Sequence, residues 1–220
     1  MKKRLLPSAL LLLMLLPSLH SQSTQMDSPG RTLAIKLFPG GGEVERTLRE
    51  AFAAVPREDF LDGTYRNLAY RDMPLPAGEG LIHPSPSFIA AILKEAKITD
   101  QSKVLVIGRN TAYLNRIISR LTPSLFVSDP LSGSDSRAVY QGRNDLSYFG
   151  WIEESPFDCI IVFGAVGEIP GSLVSQLSDN GRIIGSIEAE TGNQILISAV
   201  RFNGGFSIKG IGSSYIHKLQ

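Results

Sequence analysis

The residues best placed to do chemistry are Gly108 and Asp129, with the run Lys103–Leu114 (KVLVIGRNTAYL) leading into the first of them. Val104, Leu105, Val106 and Ile107 form a short continuous apolar run, which suits a central parallel strand buried on both faces. Gly108 breaks the run, and from Thr111 a helical period sets in through Tyr113 or Leu114, Ile117, Ile118 and Leu121. Strand, glycine turn and helix together open a nucleotide-binding βαβ unit, whose helix N–H groups and turn face a ligand. A second apolar run, Leu125-Phe-Val-Ser, ends at Asp129. An acid about 20 residues past the first glycine is where such units hold a ribose hydroxyl. An ordinary α/β turn has the same outline, and the G-x-G-x-x-G pattern is absent, so both readings stand at this point. Cys159, inside FDCIIVF, reads as a core thiol rather than a nucleophile. Three histidines and one cysteine, widely separated, make no metal-ligand spacing.

A chain of 220 residues with 43% hydrophobic side chains can bury one good α/β core but not a second full domain. Lys plus Arg number 22 against 21 Asp plus Glu, so no net field draws it to nucleic acid or to an anionic membrane. Met1–Arg4 is basic, Leu5–Leu16 is almost wholly apolar, and Pro17-Ser-Leu-His-Ser supplies small residues for cleavage near Ser21. That order predicts a secretory signal over residues 1–21 and an exported, periplasmic or secreted protein with no membrane segment in its mature form. A start at Met26 would instead leave it cytoplasmic. Residues 22–42, rich in Ser, Thr, Pro and Gly, read as a linker. An α/β domain is expected over 43–220. It begins with a helix from about Glu43 to Ala54, with Val44, Leu48, Ala51, Phe52 and Val55 on one face and Pro56 ending it. Pro170 suits helix position N1, and Ile195–Phe202 and Phe206–Lys218 alternate as a hairpin around Asn203-Gly-Gly. The fold class is α/β: a doubly wound, mostly parallel sheet with an antiparallel C-terminal edge hairpin.

The strings AFAAVPREDFL (Ala51–Leu61) and NLAYRDMPLPAGEG (Asn67–Gly80) resemble the N-terminal region of protein-L-isoaspartate O-methyltransferases. The resemblance continues through WIEESPFDCIIV, GEIP, DNGRII and NQILISAV, and so covers nearly all of the mature chain. It implies a Rossmann-like, S-adenosylmethionine-dependent methyltransferase fold, no metal, and methyl transfer to L-isoaspartyl carboxylates in damaged proteins by a monomer. By the same resemblance Gly108, Tyr113, Asp129 and Asp145 are the cofactor contacts, Asp145 near the position of an acid that meets the adenine.

Three stretches depart from the family pattern. After GEG the family carries Thr-Ile-Ser and a proline two residues later. Anchored on Gly80 and Pro86, these hydroxyl positions become Ile82 and Pro84, neither of which donates through its side chain. Ser85 remains the one loop hydroxyl for a catalytic role, and His83 reads as a solvated loop histidine rather than a base. In the cofactor turn Val106 replaces an acid, Asn110 and Ala112 replace glycines, and Arg109 places a cation where a sulfonium is expected. Residues 130–136 (PLSGSDS) are too short and too rich in Pro, Gly and Ser for the family's next helix, and Ala138-Val-Tyr-Gln already looks like a strand. These departures predict weak or lost activity. The rival expectations are an exported, non-catalytic pseudoenzyme that binds a peptide or protein partner through the former substrate cleft, and a binder of a different nucleoside-like ligand.

Overall fold

The computed structural model describes residues 28–129, 141–143 and 150–219. Helices α1 (Pro29–Leu37) and α2 (Glu43–Ala53) come first, followed by 3₁₀ turns at Arg57–Phe60 and Gly63–Leu68. A small ladder pairs β1 (Leu75–Pro76) with β2 (Ile82–His83). Then come α3 (Pro86–Ala96), β3 (Val104–Gly108), α4 (Ala112–Ile118), β4 (Leu125–Ser128) and β5 (Gln141–Arg143). The chain continues through β6 (Phe157–Val166), α5 (Gly171–Ser175), β7 (Leu177–Glu188), β8 (Gln194–Phe202) and β9 (Gly205–Ser214).

The seven-stranded sheet runs β5-β4-β3-β6-β7-β8-β9. β3 pairs in parallel with β4 on one side and β6 on the other, and β7 adds in parallel to β6. β8 and β9 extend the edge antiparallel. The run Val104–Ile107 is fully buried because alternate side chains feed two cores. Val104 and Val106 pack under α1–α4, whereas Leu105 and Ile107 pack with Phe126, Phe157, Ile160 and Leu173 on the other face. Burying each such side chain stabilises by about 1.5–3 kcal/mol. The β8–β9 turn has positive φ at Asn203 and Gly204, which the Asn-Gly pair tolerates. Cys159 is buried in β6, and burial pushes its thiol up to about 12, as suits a core thiol.

Several sequence expectations are corrected. The stretch expected as a linker contains α1: the Ser28 hydroxyl accepts from the Arg31 N–H, Pro29 opens the helix, and Leu33, Ala34 and Phe38 are buried. Phe38 meets Phe52 of α2 edge to face at 5.6 Å. Val44 is exposed rather than on the buried face of α2. Pro170 is the N-cap of α5 rather than its first residue. β9 stops at Ser214, and the chain then leaves the hairpin for the carboxyl end of β6. Of the strand expected from Ala138, Gln141 opens β5, and residues 138–140 lie outside the described residues. Residues 1–27, the 130–136 stretch and Asp145 lie outside the described residues. Among the described residues no helix is long and apolar enough to cross a membrane, and no group of three or more His, Cys, Asp or Glu could hold a metal ion.

Candidate functional site

Open α/β sheets bind ligands outside the carboxyl ends of their strands, where the strand order reverses. In this sheet that point is the end of β3, between β4 and β6. The chain turns there through Gly108–Ala112 into α4. Gly108 is needed for packing: a Cβ on it would lie 2.4 Å from the Phe163 carbonyl oxygen of β6. Asn110 takes φ 58°, the left-handed conformation that asparagine accepts more readily than most residues. Asp129, at the end of β4, straps the turn. Its Oδ2 accepts from the Thr111 N–H at 2.9 Å and the Thr111 hydroxyl at 2.6 Å. Asn115 Nδ2 donates to the same hydroxyl oxygen at 2.7 Å, so the network is buried and fixed.

A second element faces this turn. Arg57 is 2% exposed and donates to the carbonyls of Ala69, Arg71, Met73 and Pro84. One side chain thereby ties the 3₁₀ segment to the end of β2. Asn110 Nδ2 reaches from the turn to the Ile82 carbonyl at 3.4 Å and to His83 Nδ1 at 3.3 Å. His83 and Asn110 line a cleft of about 700 Å³ with Asp59, Thr64, Tyr65 and Gly78. His83 is therefore not a solvated loop residue. Burial first, then the charges of Arg57 and His217, push its ring down to about 4, so it is neutral at pH 7 and its Nδ1 can accept.

That shift makes a pH prediction. An unperturbed histidine titrates at 6.5 and the folded ring at about 4. Between those values the unfolded chain holds more protons, so stability falls as pH falls and is unaffected by this group above 6.5. The ring is partly exposed and screened, so its share is about 1–2 kcal/mol. His83→Gln is expected to lose less stability than the wild type between pH 7 and about 4.5 in urea unfolding. Equal losses in the two proteins would refute this.

The third element is the C-terminal tail. Lys218 bridges to Ala165 in parallel, with Ala165 N–H donating to the His217 carbonyl and Leu219 N–H to the Ala165 carbonyl, both at 2.9 Å. Leu219 fills the space over Gly164, where a Cβ would lie 2.1 Å from its Cγ. His217, 6% exposed, packs edge-on against Phe163 and faces Arg109, Ile82 and Asp129. Neither ring nitrogen makes a hydrogen bond, although the carbonyls of Arg109 and Ile82 lie near. Burial and the Arg109 charge push its proton affinity down. Arg109 Nε is also buried without a partner.

The expected site residues are only partly brought together. Gly108 and Asp129 sit at the crevice, but Gly108 serves the β3–β6 contact and Asp129 holds Thr111. Tyr113 turns into the core against Phe52 and Phe60, and burial pushes its phenol up. Ser85 caps α3 by accepting from the Phe88 N–H, and it lines a separate groove of about 320 Å³ with Ser87, Pro74 and Tyr215. Val106 lies within β3 with no carboxylate to offer. Sequence reasoning missed Arg57 and His217. The signal for Arg57 was a charged residue in a quoted motif, and for His217 a histidine beyond the hairpin's alternation.

The comparisons with known proteins agree with this architecture. The sequence model of protein-L-isoaspartate(D-aspartate) O-methyltransferase matches residues 33–128 and 133–216. A protein-L-isoaspartate O-methyltransferase of Gloeobacter violaceus is 32% identical over 180 residues, covering 77% of this chain and 87% of its own. One from Pectobacterium atrosepticum is 32% identical over 190 residues, covering 82% and 90%. A solved protein-L-isoaspartate O-methyltransferase superposes with TM-score 0.75 at 22% identity; it covers 86% of this chain, which spans 65% of its length. A Plasmodium falciparum structure, described as such an enzyme in complex with S-adenosyl-L-homocysteine, gives TM-score 0.68 at 16% identity over 88% and 99%. With the family's sequence model matched along most of its length and two relatives 32% identical to it, the chain belongs to the protein-L-isoaspartate (D-aspartate) O-methyltransferase family.

Proposed function

We propose that this protein binds S-adenosylmethionine at the carboxyl end of β3 and methylates L-isoaspartyl carboxylates in peptides, at a rate well below that of relatives whose loop keeps both hydroxyls. The observation that carries the reading is the crevice itself: a turn strapped by Asp129, facing Arg109 Nε and the His217 ring nitrogens, which make no hydrogen bond among the described residues. Those orphaned atoms test the fit. S-adenosylmethionine carries a carboxylate that can serve them. When bound, it supplies an electrophilic methyl group on sulfonium. The substrate carboxylate is already a nucleophile, so the chain's task is to position it and to exclude water. The neutral His83 ring, held through Nδ1 by Asn110 Nδ2, lines the cleft beside β2 and has its Nε2–H to offer for this. Ile82 and Pro84 contribute no side-chain donor, and the Pro84 carbonyl is held by Arg57. Misplacement of about 1 Å costs about a hundredfold in rate.

The test is methyl transfer from labelled cofactor to an isoaspartyl peptide and to its aspartyl twin, with the Pectobacterium relative run alongside. Turnover specific to the isoaspartyl peptide, about a hundredfold or more below the relative's, is expected. Equal labelling of both peptides would overturn the reading. One observation favours a second reading: Ser85, the remaining hydroxyl, is spent on the α3 cap and opens on a different groove. Isoaspartyl-peptide binding without any turnover would select that reading, a non-catalytic peptide binder.

A further inference from the structure

Two polar side chains in the crevice, the buried His217 and the half-buried Arg109, carry shielded nitrogens without a hydrogen bond among the described residues. His217 has both ring nitrogens without a hydrogen bond, and Arg109 has its Nε without one. Chance exposure does not account for this, since His217 is 6% exposed and the tail is built to hold it there. The Lys218–Ala165 bridge, Leu219 on Gly164 and the Phe163 ring fix the segment on both sides of it. Buried donors of this kind are normally satisfied, and an unsatisfied cluster at a sheet's ligand-binding edge marks a missing acceptor. The missing partner is an anion. The guanidinium is a permanent cation, the adjacent ring adds an N–H donor, Val106 leaves no carboxylate at the end of β3, and the Asp129 carboxylate at the end of β4 is engaged by Thr111.

We propose that Arg109 and His217 form an anion subsite that takes the carboxylate at the amino-acid end of the nucleoside cofactor, and so decide which nucleosides this protein holds. The proposal rests on the reading that the crevice binds that cofactor. On it, Arg109 is a recognition residue for the one negative group of a ligand that is otherwise cationic. A guanidinium meets a carboxylate through two parallel N–H donors, a geometry that an amide or an ammonium does not reproduce.

The experiment is calorimetric titration of the full chain with S-adenosylhomocysteine and with 5′-methylthioadenosine, which lacks the amino-acid end. Wild type is expected to bind the first more tightly. Arg109→Gln is expected to weaken S-adenosylhomocysteine roughly 10- to 100-fold while leaving 5′-methylthioadenosine unchanged. Unchanged 5′-methylthioadenosine affinity also reports that the variant crevice is folded. Arg109→Lys should recover part of the loss, and His217→Gln should act in the same direction as Arg109→Gln. The same ratio of affinities in wild type and Arg109→Gln would overturn the subsite. So would wild type that binds both nucleosides equally, which leaves the cofactor reading intact. Wild type that binds neither overturns the cofactor reading itself.

Discussion

Arg57→Met is expected to destabilise the protein by about 3–5 kcal/mol, the largest effect of any single substitution considered. The side chain is 2% exposed, and its guanidinium is held by main-chain carbonyls. Its bonds to the Ala69 and Pro84 carbonyls, each 2.9 Å, are buried, and those to Arg71 at 3.4 Å and Met73 at 3.3 Å are partly so. Burial works against the charge and pushes its proton affinity down, and nearby Tyr113 and Asp72 oppose part of this. Methionine fills much of the volume but leaves the carbonyls dry and unpaired, each at about 1–3 kcal/mol. Arg57→Lys keeps a charge with a single donor group and should fall between the two. Urea unfolding of the three proteins measures the order, and a loss under about 1 kcal/mol in Arg57→Met would show that the clasp is not structural.

Gly108→Ala is expected to cost about 2–3 kcal/mol and to abolish nucleoside binding. The added Cβ would stand 2.4 Å from the Phe163 carbonyl oxygen and 2.8 Å from the Phe163 Cβ. The obstructing oxygen belongs to the neighbouring central strand and cannot rotate away, so β3 must move from β6. The ligand-facing turn begins at that residue and moves with it, and small displacements there are costly. Gly212→Ala is the control, because nothing lies within 4 Å of its Cβ position. Thermal unfolding and calorimetric titration of both variants check the pair. A Gly108→Ala protein as stable as Gly212→Ala would contradict the packing role.

The sheet was legible because burial on both faces leaves a plain signature. The continuous apolar runs Val104–Ile107 and Cys159–Phe163 have the composition of interior strands, and Asn203-Gly204 that of a tight turn. α1 was hidden because its Ser, Pro and Gly neighbours have linker composition, yet Ser28-Pro29 is also a cap and a first helical residue. Ser85-Pro86 has the same signature, and the Ser85 hydroxyl caps α3. Tyr113 continues the α4 period and obeys it by facing the core. His217 could not be found by periodicity. Its neighbours in space, Arg109 and Phe163, are far away in sequence, and only the closed fold brings them together.

Asn110 belongs to two places at once. Its backbone shapes the turn at the end of β3, while its amide holds the Ile82 carbonyl and the His83 ring of β2. A molecule that presses on the turn is therefore felt at β2, and one that displaces β2 is felt at the turn. Two ligands placed on either side of such an amide do not have independent affinities. Whatever factor the first imposes on the second, the second imposes on the first, because the free energy around a closed cycle must vanish. The order of mixing then alters the path to the ternary complex, and never its equilibrium amount.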